Sequence, residues 1–110
     1  MLTRAEAFDE LVLDSAKRYQ SHLERRGRQV ELVVDDVPPA DPAPWEDGPT
    51  LARVLPGDGQ VPPRIVIYRR PVEALAAREG DLPAVVGMVV ARQVAELLGV
   101  EVEDIDPGLA

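Results

Sequence analysis

Arg92, Gln93 and Glu96 are the residues whose types and spacing bear most directly on chemistry. They interrupt an otherwise apolar run from Val85 to Leu98. On a helix, positions i and i+4 share a face. Ligating side chains at that spacing can hold one metal ion, with a carboxylate at i+1 as general base. The residue types here do not supply that chemistry. Arg92 is a fixed cation and cannot ligate a metal. Gln93 carries no base at neutral pH. Glu96 is a potential ligand that would need partners. The three side chains are expected on roughly one side of the helix. There an Arg92–Glu96 ion pair would be worth roughly a few tenths of a kcal/mol.

Other chemistry-bearing residues point to ordinary roles. The sole histidine, His22, falls in the first helix and reads as a surface residue. Glu96, Glu101, Glu103, Asp104 and Asp106 form an acidic cluster near the C-terminus. It lacks the ligand spacing and central glycine of a calcium loop and reads as a solvated tail. Ser15 and Ser21 have no base assigned nearby. Asp35-Asp36 reads as a strand terminator. There are no cysteines, which excludes a thiol nucleophile, a disulfide framework and Cys-ligated metal. No phosphate-binding glycine loop or nucleophile elbow is present. Catalytic, cofactor-binding and metal residues are therefore expected to be absent.

The 110 residues suit one domain, 1–110. With 12 Lys and Arg against 20 Asp and Glu, the net charge is −8. That balance argues against nucleic-acid binding, which requires cations to displace phosphate counterions. Arg25, Arg26, Arg28, Arg69 and Arg70 form small basic clusters that read as solvated surface. No apolar run approaches the roughly 20 residues that span a bilayer, and the N-terminus lacks the pattern of a signal peptide. A cytoplasmic protein without a membrane partner is the expectation.

Several elements must position the polar stripe. Thr3 and Glu6 form a capping-box pattern ahead of a helix over 4–26. Its stripe is Phe8, Leu11, Val12, Ala16, Tyr19 and Leu23. Gln29 to Val34 reads as a strand. A loop rich in proline follows, with Trp45 expected to pack down as its anchor. Thr50 to Leu55 suggests a weak strand and Arg64 to Tyr68 a strong one. Pro71 opens a short helix to Glu79. Asp81, Pro83 and Gly99 bracket a central helix over 82–98, apolar around most of its circumference. The fold class is α+β: a small twisted sheet of about three to four strands packed against two long helices.

This order resembles the small bacterial zincin-like metallopeptidases, a minimal family of about this length. Four segments carry the resemblance: Phe8 to Val12; Val33 to Asp36 with Pro38-Pro39; Ile65 to Glu73; and Val89 to Gly99. In active members the central helix carries His-Glu-x-x-His-x-x-Gly, followed by an acidic third ligand. The resemblance puts the first histidine at Arg92, the base at Gln93, the second histidine at Glu96 and the glycine at Gly99. The third ligand falls near Val102, with Glu103 and Asp104 just beyond. It thus implies a family member whose motif reads Arg-Gln-Val-Ala-Glu: a catalytically inactive pseudo-peptidase acting as a binding or interaction module, with an unknown protein or peptide partner. Two alternatives stand beside it. One is a working metallopeptidase with non-standard ligands or a completing partner chain. The other is a structural or oligomeric protein unrelated to proteolysis.

Overall fold

The computed structural model describes residues 1–46 and 48–109. Its elements in order are α1 (Arg4–Arg25), β1 (Glu31–Asp35), β2 (Ala52–Leu55), β3 (Arg64–Tyr68), α2 (Arg69–Glu79), α3 (Leu82–Leu98) and a short α4 (Val102–Ile105). The fold is α+β, as the residue pattern predicts.

The capping box forms as the sequence implies. Thr3 Oγ1 accepts from the Glu6 N–H at 3.1 Å, and Glu6 Oε1 accepts from the Thr3 N–H at 3.2 Å. Two of the helix's orphan donors are satisfied this way. Along α1, Phe8, Val12, Ser15 and Tyr19 are buried at successive four- and three-residue steps. That face packs on α3, where Gly87 lies against Ser15 and Arg18.

The sheet has the order β1-β3-β2. β1 runs parallel to β3, and β2 antiparallel. The central strand is the most buried, with Ile65, Val66, Ile67 and Tyr68 all inside. Ile65 sits between Leu32 and Val54, and Ile67 between Val34 and Ala52. These side chains join one core with α3. α3 buries eight residues spread around its surface, among them Val86, Val90, Ala91 and Val94. Fully burying each large apolar side chain contributes about 1.5–3 kcal/mol.

Element ends follow local chemistry. Asp81 caps α3 by accepting from the Ala84 N–H. Gly99 closes it at φ 68°, ψ 32°, a left-handed conformation that costs glycine nothing and strains other residues. α2 begins at Arg69, two residues before the start that Pro71 suggests. Proline is harmless anywhere in a first turn, because those N–H groups lack helical partners. The Arg70 N–H donates instead to the Asp36 carbonyl. β1 begins two residues later than expected. The turn that closes α1 reaches as far as Arg28, whose N–H bonds the Leu23 carbonyl.

Two expectations are corrected. Trp45 does not anchor the proline-rich loop; it is 84% exposed. Glu46 anchors it instead. Its carboxylate accepts from the Ala43 N–H and the Thr50 hydroxyl, and meets Arg53 at 3.4 Å. These donors, the Ala43 N–H foremost, hold its pKa below the usual carboxylate range. The C-terminal acidic stretch is not a free solvated tail. Ile105 is buried in the core. Asp106 accepts from the Tyr19 hydroxyl at 2.8 Å and from the Gly108 N–H at 3.1 Å.

Candidate functional site

The last turns of α3 carry the polar stripe. The left-handed Gly99 ends the helix so that Val100 bonds back to the Ala95 carbonyl. The chain then turns into α4, placing Val102 at its first position.

The three stripe residues do not share one environment. Arg92 and Glu96 are exposed, and Gln93 is half-buried. The Gln93 Oε1 is enclosed and has no hydrogen-bond partner among the described residues. The expected Arg92–Glu96 ion pair is absent from the ion pairs among the described residues. Both groups face water, where pairing two long side chains gains little.

Glu96 and Leu97 form one wall of an open groove of about 510 Å³. Val54 and Pro56 at the end of β2 form the facing wall with Gly57 and Asp58, while Arg28 and Pro63 complete the rim. Asp58 shapes its turn by accepting from the Gln60 and Val61 N–H groups, both at 2.8 Å. Those two donors lower its pKa, so it stands ionised at neutral pH. Gly57 is required there, because any Cβ would collide with the Val61 carbonyl and the Pro62-Pro63 backbone. The groove thus presents one cation, Arg28, and two carboxylates, Glu96 and Asp58, beside apolar walls. It can accept both donors and acceptors from an extended ligand. One turn before Glu96 on α3, Gln93 is half-buried.

Arg28, Asp58 and the end of β2 carry no signal in the sequence pattern. They come from separate loops, and no spacing in the chain links them to Glu96. His22 lies on α1 beside Arg25, 3.0 Å from its Nη2, and lines no part of the groove. Val102 is half-buried against the core, and Glu103 and Asp104 are exposed. Among the described residues, no three His, Cys, Asp or Glu side chains converge as a metal site.

Ahead of α3 lies an ion-pair hub. Arg69 Nε and Nη2 donate to Asp36 Oδ1 at 3.2 and 3.1 Å, and Nη1 donates to Glu73 at 3.0 Å. Asp36 is therefore more than a strand terminator: it ties the end of β1 to the start of α2. No helix is long and apolar enough to cross a membrane among the described residues.

The family model for zincin-like metallopeptidases matches residues 27–108. No curated protein matches the chain. The chain belongs to the zincin-like metallopeptidase family.

Proposed function

We propose that this member of the zincin-like family holds no catalytic zinc and cleaves no peptide, and that it serves as a binding module for a protein or peptide. The observation that carries this reading is α3 itself. Its frame, closed by the left-handed Gly99, presents Arg92, Gln93 and Glu96 where the family pattern sets two histidines and a glutamate. Zinc requires several neutral imidazole or anionic donors around one point. The donor set here does not fit that requirement. Arg92 would bring a permanent positive charge to the metal position. Gln93 cannot take a proton from water, and its enclosed Oε1 has no partner among the described residues. The Val102 side chain has no donor atom to offer.

The groove between α3 and β2 supports the binding role. It stays open, with apolar walls and charges of both signs. Side chains that cannot perform hydrolysis can still recognise an extended segment.

Calorimetric titration with zinc at neutral pH tests the reading. The expected result is no stoichiometric site. A tight one-to-one site, or peptide cleavage that a chelator abolishes, would sink it. A converse variant tests the positional equivalence: Arg92→His, Gln93→Glu and Glu96→His combined with Val102→Glu. That protein is expected to bind one zinc ion. Failure to do so with the fold retained would show that these positions do not form a metal frame.

A further inference from the structure

β1 is an outer strand of the sheet. The Glu31 N–H donates inward to the Pro63 carbonyl. Backbone groups alternate sides along a strand, so Glu31, Val33 and Asp35 bond toward β3. Leu32 and Val34, with Val30 before them, point their N–H and C=O groups outward. Among the described residues no backbone bond reaches that edge. Beneath the edge, a groove of about 820 Å³ separates β1 from α1. Leu13 of α1, 53% exposed, lines it together with Ala16. The groove continues beside Leu32 and Val34. The helix therefore leaves the edge open rather than capping it, which is unusual for an unpaired strand.

We infer that β1 pairs antiparallel with β1 of a second copy of this chain, joining two three-stranded sheets into one across a twofold axis. The charge order along the segment selects this occupant. It begins with Arg28, just after Arg25 and Arg26, and ends with Asp35 and Asp36. An antiparallel copy sets each basic end against an acidic end, and does so twice. A parallel copy would set like against like.

The same charges select the register. With Leu32 facing Leu32 at the axis, Val30 faces Val34, Gln29 faces Asp35 and Glu31 faces Val33, while beyond the strand ends the Arg28 side chain approaches Asp36, whose carboxylate Arg69 also holds. A shift that centres the axis on Val33 would place Glu31 opposite Asp35, a repulsive cross-strand pair. Outward backbone groups meet only between even-numbered residues; both registers satisfy this, so the charges make the choice. The incoming Val30, Leu32 and Val34 side chains then fall on the helix side of the sheet, over Leu13 and Ala16. The pairing shares only Arg28 with the α3 groove, and the Leu32→Pro and cysteine variants test it without touching that groove.

Sedimentation of the full chain from micromolar to millimolar concentration, in about 0.15 M salt so that net charge is screened, reads the assembly. A reversible dimer is expected. Arg28→Glu is expected to weaken it at least about tenfold by setting acids face to face. Leu32→Pro is expected to abolish it, because the proline removes an outward N–H and no bond inside the sheet. A chain monomeric throughout, or a dimer indifferent to both substitutions, overturns the inference. Should Leu32→Pro fail to fold, a mixing experiment decides. The protein has no cysteine, so Glu31→Cys and Val33→Cys proteins can be oxidised together. Facing residues of a non-hydrogen-bonded pair lie about 4.5 Å apart, within disulfide reach. Cross-linking is expected mainly between the two variants and little within either alone. Equal or no cross-linking in the mixture would refute the register and the dimer it defines.

Discussion

Two arginines in this chain stand four residues ahead of a glutamate on a helix, and they behave differently. Arg69 and Glu73 meet at 3.0 Å with side chains only 13% and 20% exposed. Arg92 and Glu96 lie in solvent and make no ion pair among the described residues. Spacing and residue order are the same, although Arg69 opens α2 and Arg92 lies in the second half of α3. The difference is Asp36, which reaches Arg69 from the end of β1 and fixes its guanidinium from a second side. Once the planar fork is held, little further entropy is lost in meeting Glu73. Among the described residues, Arg92 has no such second partner. Helical spacing permits a pair, and tertiary context forms it.

Removing Arg69 should have the largest effect. Arg69→Met leaves Asp36 and Glu73 without their cation, and the loss of charge-assisted bonds should cost about 2–3 kcal/mol in urea unfolding. A double-mutant cycle with Glu73→Gln should show coupling at this pair and none at Arg92 with Glu96. Equal coupling at both pairs would contradict the role given to Asp36.

A second tertiary tie, between Tyr19 and Asp106, responds to pH. Burial, and then the hydrogen bond to Asp106, raise the Tyr19 pKa. The stabilisation from neutral Tyr19 is thus fully present below the ordinary tyrosine range near 10. It is lost as pH rises from there through the higher folded value. Tyr19→Phe should lose about 1 kcal/mol at neutral pH and show a shallower alkaline decline in thermal melting. An unchanged alkaline slope would remove Tyr19 from that transition.

The smallest effect belongs to the unpaired stripe. Arg92→Ala should change stability by no more than about 0.5 kcal/mol, measured by the same urea titration. A larger loss would mean that Arg92 has a structural partner after all.

What was legible in the residues follows the same division. The boundaries of α3 were readable, because Asp81, Pro83 and Gly99 each act on their own backbone. The capping box of α1 and the β3 strand were readable for the same local reason. The anchor of the proline-rich loop was not. Trp45 has the apolar bulk for burial, yet the buried position goes to Thr50, bound by Glu46. The docking of the C-terminal segment was also hidden. Ile105 is a single buried apolar residue between acids, and Asp106 finds its partner 87 positions away. The polar stripe of α3 was visible as an interruption of an apolar run, but the wall that faces Glu96 comes from segments with no periodic signal.

The packing of α1 on α3 has a consequence for the order in which the molecule is completed. α1 leaves the ribosome ahead of every other element described, yet its buried stripe rests on a helix that begins at Leu82. The hydroxyl of Tyr19 waits longer still, for Asp106. A growing chain that ends before α3 therefore carries Phe8 and Val12 without the surface that covers them. Contacts of such long sequence separation form late and slow folding. The sheet alone offers no substitute, because its core face needs α3 as well. The buried stripe of α1 is thus covered only after α3 has emerged, and its Tyr19 hydroxyl is satisfied only after Asp106.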